Sequence, residues 1–263
     1  MDDSVKYINM NERDPFRLQN DIASRFSNTN YQIYRPVTVE ETILTNVEQN
    51  GTVYTAVDPS SEASIEYILS VTSDNFIYMY LDSPELQNAS VLVDDYEKGD
   101  YFSIYEWSVR DVGYYAPGEK VSVKIVLNDD TLELNNAYFY YESKQVLKAW
   151  YKDAVSTTCQ IDKITSSHLR ADVNVKGTTD YIVFSIPYEE DWTIKVDGKR
   201  VKPIKVMDAL MAVRISNGEH EIELRYIPRG LIFGTPITIL ALVTTFCVVF
   251  AGFRKKPQDE KQS

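Results

Sequence analysis

From Gly51 to Tyr141 apolar and polar positions alternate in short runs: TVYTAV, SIEYILSV, NFIYMYL, ASVLV, YFSIYEW, KVSVKIVL and TLELNNAYFYY. Successive side chains of a strand point to opposite faces, so each run predicts a strand with one face on a core. Pro84, Gly99 and the Pro117–Gly118 pair separate the runs. Short strands in series with no helix between them predict an antiparallel sandwich or jelly roll over 51–141.

The period changes at ESKQVLKAWYKDAV, where Val146, Leu147, Trp150, Tyr151 and Ala154 recur at helical spacing. This predicts an amphipathic connecting helix over 142–158, with Trp150 in a core or an interface. Alternation then resumes in QIDKIT, HLRADVNV, YIVFSI, WTIKV, RVKPIKV, LMAVRI and HEIELRYI, a second antiparallel β domain over 159–229. Asp197–Gly198 and Asn217–Gly218 each carry the residue types that take the positive φ angles of a type I′ hairpin turn. Upstream, residues 1–50 are polar and predict an irregular segment with one short helix. There Asp14 caps, Pro15 occupies the first turn, and Phe16, Leu18, Ile22 and Phe26 form the apolar stripe. YQIYRPVTVE then runs extended, as a linker or laid across the first sheet.

All alternation stops at LIFGTPITILALVTTFCVVFAGF, residues 231–253, which contain no charge. As a helix this segment is about 35 Å long against a hydrocarbon core of about 30 Å, so 230–253 predicts a transmembrane helix. Arg225 and Arg229 precede it, and Arg254, Lys255, Lys256 and Lys261 follow it. The basic excess downstream predicts a cytoplasmic tail over 254–263 and an extracytoplasmic bulk. The start, MDDSVKYINM, has no apolar stretch of a signal peptide. The chain is thus expected to be either tail-anchored or the C-terminal part of a polytopic protein with earlier helices, and the charge bias favours the second.

Composition narrows the function. The formal charge is −12, and the tail contributes +2 of it, leaving −14 on residues 1–253, the wrong sign for gripping a phosphate backbone. Nucleic acid is therefore not an expected partner. The 19 tyrosines suit half-buried sheet faces with a polar tip. Cys159 and Cys247 are the only cysteines, and a disulfide between them would place one partner at bilayer depth, so none is expected.

Candidate chemistry centres on SIPYEEDW, where Glu189, Glu190 and Asp191 stand before Trp192. Glycosidase carboxylates face each other across a cleft, generally from different strands. Three consecutive acids between strands instead predict a solvated corner, with Pro187 ending one strand and Trp192 opening the next. Trp192 shares a face with Ile194 and Val196 by alternation, which predicts core packing, and sugar contact through Tyr188 or Trp192 is the sharper alternative. His168 and His220 lack partners at metal-ligand spacing, Asp94–Asp95 and Asp129–Asp130 fit no calcium loop, and no phosphate loop or nucleophile elbow occurs. No catalytic residue, metal or cofactor is assigned.

The set SIPY…Trp192, Val196-Asp197-Gly198, Gly218…His220 and Tyr226…Pro228…Gly230 resembles the C-terminal end of the YfhO family. DPFRLQNDI and YYESKQVLKAW are similar to that family's upstream stretches, and Asp191 departs from it where glycine is more usual. These are polytopic membrane proteins, mainly of Gram-positive bacteria, similar to GT-C glycosyltransferases. The resemblance implies a part in glycosylating cell-envelope polymers of the lipoteichoic acid class. It also implies as partners the membrane, a glycan or teichoic acid acceptor, and an N-terminal transmembrane portion. For this chain it implies a non-catalytic extracytoplasmic module. The alternatives are an independent membrane-anchored surface carbohydrate-binding or adhesion module and, third, an envelope glycosidase.

Overall fold

Asp14 opens the fold in the computed structural model, which describes residues 7–27, 29–85, 87–102, 108–155, 158–176 and 181–254. Its carboxylate accepts the N–H groups of Phe16 at 3.0 Å and Arg17 at 3.2 Å, capping helix α1 (Pro15–Ser27) as the sequence predicts. The fully buried residues of α1 are Phe16, Asn20 and Ala23, whereas Leu18, Ile22 and Phe26 are half-buried. A polar residue occupies the middle of the inward face because it has work there. The Asn20 amide donates to the Tyr34 carbonyl at 2.7 Å and accepts the Tyr34 N–H at 2.9 Å.

The extended run expected through YQIYRPVTVE is strand at Tyr34–Pro36 and Thr38–Thr45, and the irregular reading of 1–50 is corrected at its end, where strand continues to Thr45 and resumes at Val47–Asn50. Thr38–Thr45 pairs with Ser64–Ser70, and Tyr34–Pro36 pairs with Asn136–Glu142, each at the edge of its sheet. Residues 38–45 are almost entirely exposed, so their sequence carries no buried face and no alternation to read.

The chain divides into two compact units, the first made by residues up to 157 and the second mostly by those from 158 onward. In the first, a five-stranded antiparallel sheet runs in the order 38–45, 64–70, 120–127, 89–93, 96–101. A four-stranded sheet runs 34–36, 136–142, 75–82, 110–115. Ile65, Leu69, Val91, Val123 and Ile125 from one sheet and Ile77, Met79, Leu81 and Phe139 from the other share one buried cluster. Each such side chain contributes about 1.5–3 kcal/mol when fully buried. Asp94 and Asp95, read as loop acids, make a two-residue turn with φ of +47° and +66° between strands 89–93 and 96–101. Of the strand expected in YFSIYEW, residues 103–107 lie outside the described residues.

Helix α2 (Lys144–Ala154) is shorter than the expected 142–158, because Glu142 still belongs to the last strand and the Ser143 hydroxyl caps from outside, accepting the Val146 N–H at 3.3 Å. None of its residues is fully buried, and Trp150 is half-buried with its indole Nε1 covered, so the core half of the expectation does not hold. The helix lies beside α1, tied by a hydrogen bond from the Tyr31 hydroxyl to the Asp153 carboxylate.

In the second unit a five-stranded sheet runs in the order Thr158–Ile164, His168–Val175, Gly218–Tyr226, Trp192–Val196, Lys199–Val201. A three-stranded sheet runs Tyr181–Pro187, Leu210–Arg214, Ile204–Val206. Val173, Ile194, Ile222 and Leu224 of the first meet Met211 and Val213 of the second in a separate core. Asp197 and Gly198 have φ of +51° and +74°, the expected hairpin turn. Asn217–Gly218 is corrected. Its flanking strands belong to different sheets, and only Gly218 has positive φ, at +120°. Ile215 is 4% exposed, so the chain crosses to the other sheet there instead of folding back.

The last element, helix α3 (Arg229–Arg254), contains a 23-residue stretch, Arg229–Ala251, of mean hydropathy 2.2 with none of its most apolar window buried. It is long and apolar enough to cross a membrane. The hydroxyls of Thr235, Thr238, Thr244 and Thr245 donate to carbonyls one turn back, so these four donors are satisfied within the helix.

Candidate functional site at the membrane junction

Two strands and a helix start meet at the corner Tyr188–Asp191. Strand Tyr181–Pro187 ends there, and the Trp192 N–H donates to the Glu189 carbonyl at 3.3 Å as the next strand begins, the corner the sequence predicts. Trp192 lies opposite Tyr226 across the sheet, ring centroids 5.1 Å apart at 52°. Ile194 beyond it is fully buried, and Tyr188, Trp192 and Val196 pack against the same core.

Glu189 and Glu190 are exposed, as a solvated corner predicts, yet all three acids also have partners in the protein. Glu189 accepts the Tyr226 hydroxyl at 2.5 Å, which raises that phenol's pKa above its ordinary value. Glu190 pairs with the Arg229 guanidinium. Asp191 accepts the Arg229 N–H at 3.0 Å and lies 3.0 Å from its Nε, while its own carbonyl accepts the Ile227 N–H at 3.3 Å. A carboxylate at the first residue of a helix is favoured by the unpaired N–H groups and the positive end of the dipole. The cluster therefore fastens the first residue of α3 to the β unit.

Tyr188 and Trp192 come together in an open cleft of about 580 Å³, with Glu190, Arg200, Val201, Lys202, Pro203 and Arg229 completing its wall. Sequence reasoning missed Arg200 and Lys202. The signal was there: after a two-residue turn at Asp197–Gly198, Val201 falls opposite Ile194, so the run KRVK returns beside Trp192. Alternation turns Val201 inward and the flanking cations out. Two aromatic rings beside exposed cations suit a polar ring or an anionic group. Of the expected membrane-flanking residues, Arg229 opens α3 and Arg254 closes it, while Lys255 and Lys256 lie outside the described residues.

Both histidines have structural partners. At the far end of the unit the Nδ1 of His220 lies 2.8 Å from Asp197 and its Nε2 3.1 Å from the Ser216 carbonyl, binding the two turns together. The His220 hydrogen bond, with the Glu221 N–H at 3.0 Å, holds the Asp197 carboxyl below the usual range. His168 lies 3.1 Å from Glu223, which Arg225 and Lys195 also reach at 2.6 and 3.4 Å. The Arg225 hydrogen bond is the main cause of the Glu223 carboxyl falling to about 2. Among the described residues no group of three or more His, Cys, Asp or Glu is placed to hold a metal ion. Both cysteines are free.

The family model for "Bacterial membrane protein YfhO" matches residues 2–238. The "Uncharacterized protein YfhO" of Bacillus subtilis (strain 168) is 31% identical over 194 residues, which is 72% of this chain and 22% of that relative. The chain thus spans about a fifth of that relative. Among solved structures, a cycloisomaltooligosaccharide glucanotransferase from Paenibacillus sp. aligns at 8% identity and a TM-score of 0.27, covering 72% of this chain and 45% of its own. An α-L-rhamnosidase from Streptomyces avermitilis aligns at 10% identity and 0.28, covering 74% and 24%. Likenesses at that level decide neither fold nor chemistry.

Proposed function

From the premise that this chain belongs to the YfhO family of bacterial membrane proteins, we propose that it is a membrane-anchored, extracytoplasmic and itself non-catalytic module serving glycosylation of a cell-envelope polymer of the lipoteichoic acid class. It acts beside a larger membrane-embedded portion. Its task is to hold a stretch of glycan or acceptor polymer at the bilayer surface, with Tyr188 and Trp192 against sugar rings.

The observation that carries this reading is the cleft at the foot of α3, where both aromatic residues are presented next to the helix start. The acids supply its anchorage: with Glu189, Glu190 and Asp191 engaged by Tyr226 and Arg229, they serve the junction and not a reaction. The basic excess after the apolar segment supports a cytoplasmic tail.

Two measurements test it. Protease added to intact cells should cleave the β units, and cleavage only after lysis would overturn the topology. Glycosylated lipoteichoic acid fragments titrated onto the chain in phosphatidylcholine nanodiscs should give saturation-transfer NMR signals on their sugar protons that weaken in a Tyr188→Ala variant. Equal signals from both proteins would refute the assigned contact.

A further inference from the structure

We infer that the membrane-proximal end of the second unit rests on lipid, with Arg200 and Lys202 receiving the phosphate of an anionic phospholipid headgroup. The inference concerns the same cleft but does not depend on a glycan occupying it.

Strand register identifies the end that faces the bilayer. His168 pairs with Arg225 and Trp192 with Tyr226, so the 165–167 turn and the start of the Trp192 strand lie where strand Gly218–Tyr226 finishes. Val201 pairs with Ile194, which brings Lys202 to the same end. From Tyr226 only Ile227 and Pro228 intervene before α3 starts at Arg229. Two extended residues reach about 7 Å. The headgroup layer of one leaflet is about 5–8 Å thick, half the difference between the full bilayer and its hydrocarbon core. A tether that short cannot lift this end clear of the lipid surface once α3 is inserted.

The side chains at that end match what they would meet. Ile164, beside the turn, is 69% exposed and Ile227 is 47% exposed, two large apolar residues left open to their surroundings. Tyr188, Trp192 and Tyr226 are amphipathic rings of the kind that settle at the headgroup level. Arg170, Lys195, Arg225 and Arg229 are paired with carboxylates of their own unit. Arg200 reaches only the Thr193 hydroxyl, at 3.5 Å, and among the described residues neither it nor Lys202 has a carboxylate partner. On a chain with a formal charge of −12, two cations without a carboxylate partner beside half-buried amphipathic rings at the lipid-facing end complement a phosphodiester.

The test uses the full chain in nanodiscs of phosphatidylcholine alone or with about a third phosphatidylglycerol, read by amide hydrogen exchange across 199–204. A basic residue near an anionic surface is worth a factor of about five, so phosphatidylglycerol should slow exchange there roughly tenfold or more. An Arg200→Gln/Lys202→Gln variant should lose that dependence while keeping the protection of strand Trp192–Val196 that reports its fold. Equal exchange of the wild type in both lipids would overturn the inference, as would slowing that persists in the variant. Soluble glycerol 3-phosphate producing the same slowing in phosphatidylcholine discs would also overturn it, in favour of a free phosphoester. Failure of the glycan titration leaves these outcomes unchanged, so the two readings stand or fall separately.

Discussion

Asp191 holds Arg229 twice, its carboxylate oxygens lying 3.0 Å from the backbone N–H and 3.0 Å from the Nε of the same residue, across 38 positions of chain. The carboxylate acts as an N-cap supplied from outside the helix, and it couples the orientation of the β unit to that of α3. In an ordinary cap the side chain belongs to the residue before the helix and leaves the approach angle free. Here the approach is set by a corner of the sheet at which Trp192 packs on Tyr226.

Replacing Asp191 should separate the cap from the ion pair. Asp191→Asn keeps an oxygen for the Arg229 N–H, whereas Asp191→Ala removes both contacts. Alanine should cost about 1–2 kcal/mol and asparagine less, because the guanidinium retains Glu190. Amide exchange over 227–231 in nanodiscs reads this directly: acceleration in the alanine variant and little in the asparagine one. Equal behaviour of the two would mean that the N–H contact does not hold the junction.

A second expectation concerns the first unit. Asn20 satisfies both backbone groups of Tyr34, and Asp14 caps α1 while accepting the Tyr140 hydroxyl at 2.6 Å. Asp14 is 2% exposed, and burial of the Tyr140 phenol, followed by this hydrogen bond, drives its pKa well above the ordinary value. Asn20→Leu, close in size, should destabilise by about 2–3 kcal/mol, since it buries an amide without partners at Tyr34. Asp14→Ala should cost about 1–2 kcal/mol through the lost cap. Urea unfolding of the full chain in detergent, followed by near-ultraviolet circular dichroism, measures both. An Asn20→Leu protein as stable as the wild type would remove the clamp from the account of this fold.

These residues also mark what the sequence made legible. Asp14 and Pro15 announced α1 because capping is local, and Asp197–Gly198 announced its hairpin because positive φ restricts residue choice locally. Strands 64–70, 75–82 and 120–127 were readable because one face is buried and the other is not. Asn20 was silent because its partner is 14 residues away, and Thr38–Thr45 because an exposed edge strand has no buried face to advertise. At the candidate site the aromatics and the corner were legible. The use of the acids was not, since Arg229 reaches them only through the pairing of Trp192–Val196 with Gly218–Tyr226. Asn217–Gly218 misled for a related reason. A turn dipeptide states the backbone it tolerates, not whether the strands beside it pair with each other.

The charge cluster on Glu223 predicts an acid limb to stability. Its carboxyl falls from 4.5 to about 2, chiefly through Arg225. A folded pKa below the unfolded one adds stability that is complete above the unfolded value and disappears as pH falls through the folded one. Stability of the wild type should therefore decline between about pH 4.5 and about pH 2, and Glu223→Gln should flatten part of that decline. Thermal unfolding in detergent across that range, with both proteins at one ionic strength, checks the sign. A steeper acid loss in the variant would contradict the assignment.

Trp192 carries two roles that a pair of substitutions can divide. Its ring packs on Tyr226 and on the core, and it also walls the cleft beside Tyr188. Trp192→Ala loses the packing and should cost about 2–4 kcal/mol, near the lower end because the ring is only half-buried. Trp192→Phe keeps a ring against Tyr226, and aromatic pairs of this kind contribute about 0.5–1.5 kcal/mol beyond area, so its melting temperature should stay close to that of the wild type. The phenylalanine variant nevertheless offers less surface to a sugar and should weaken glycan binding in the nanodisc titration several-fold. Tyr188→Ala should weaken it through the neighbouring wall while sparing the Trp192–Tyr226 pair. If Trp192→Phe melts with the wild type and binds glycan as the wild type does, Trp192 belongs to the junction alone, and any glycan contact falls to Tyr188.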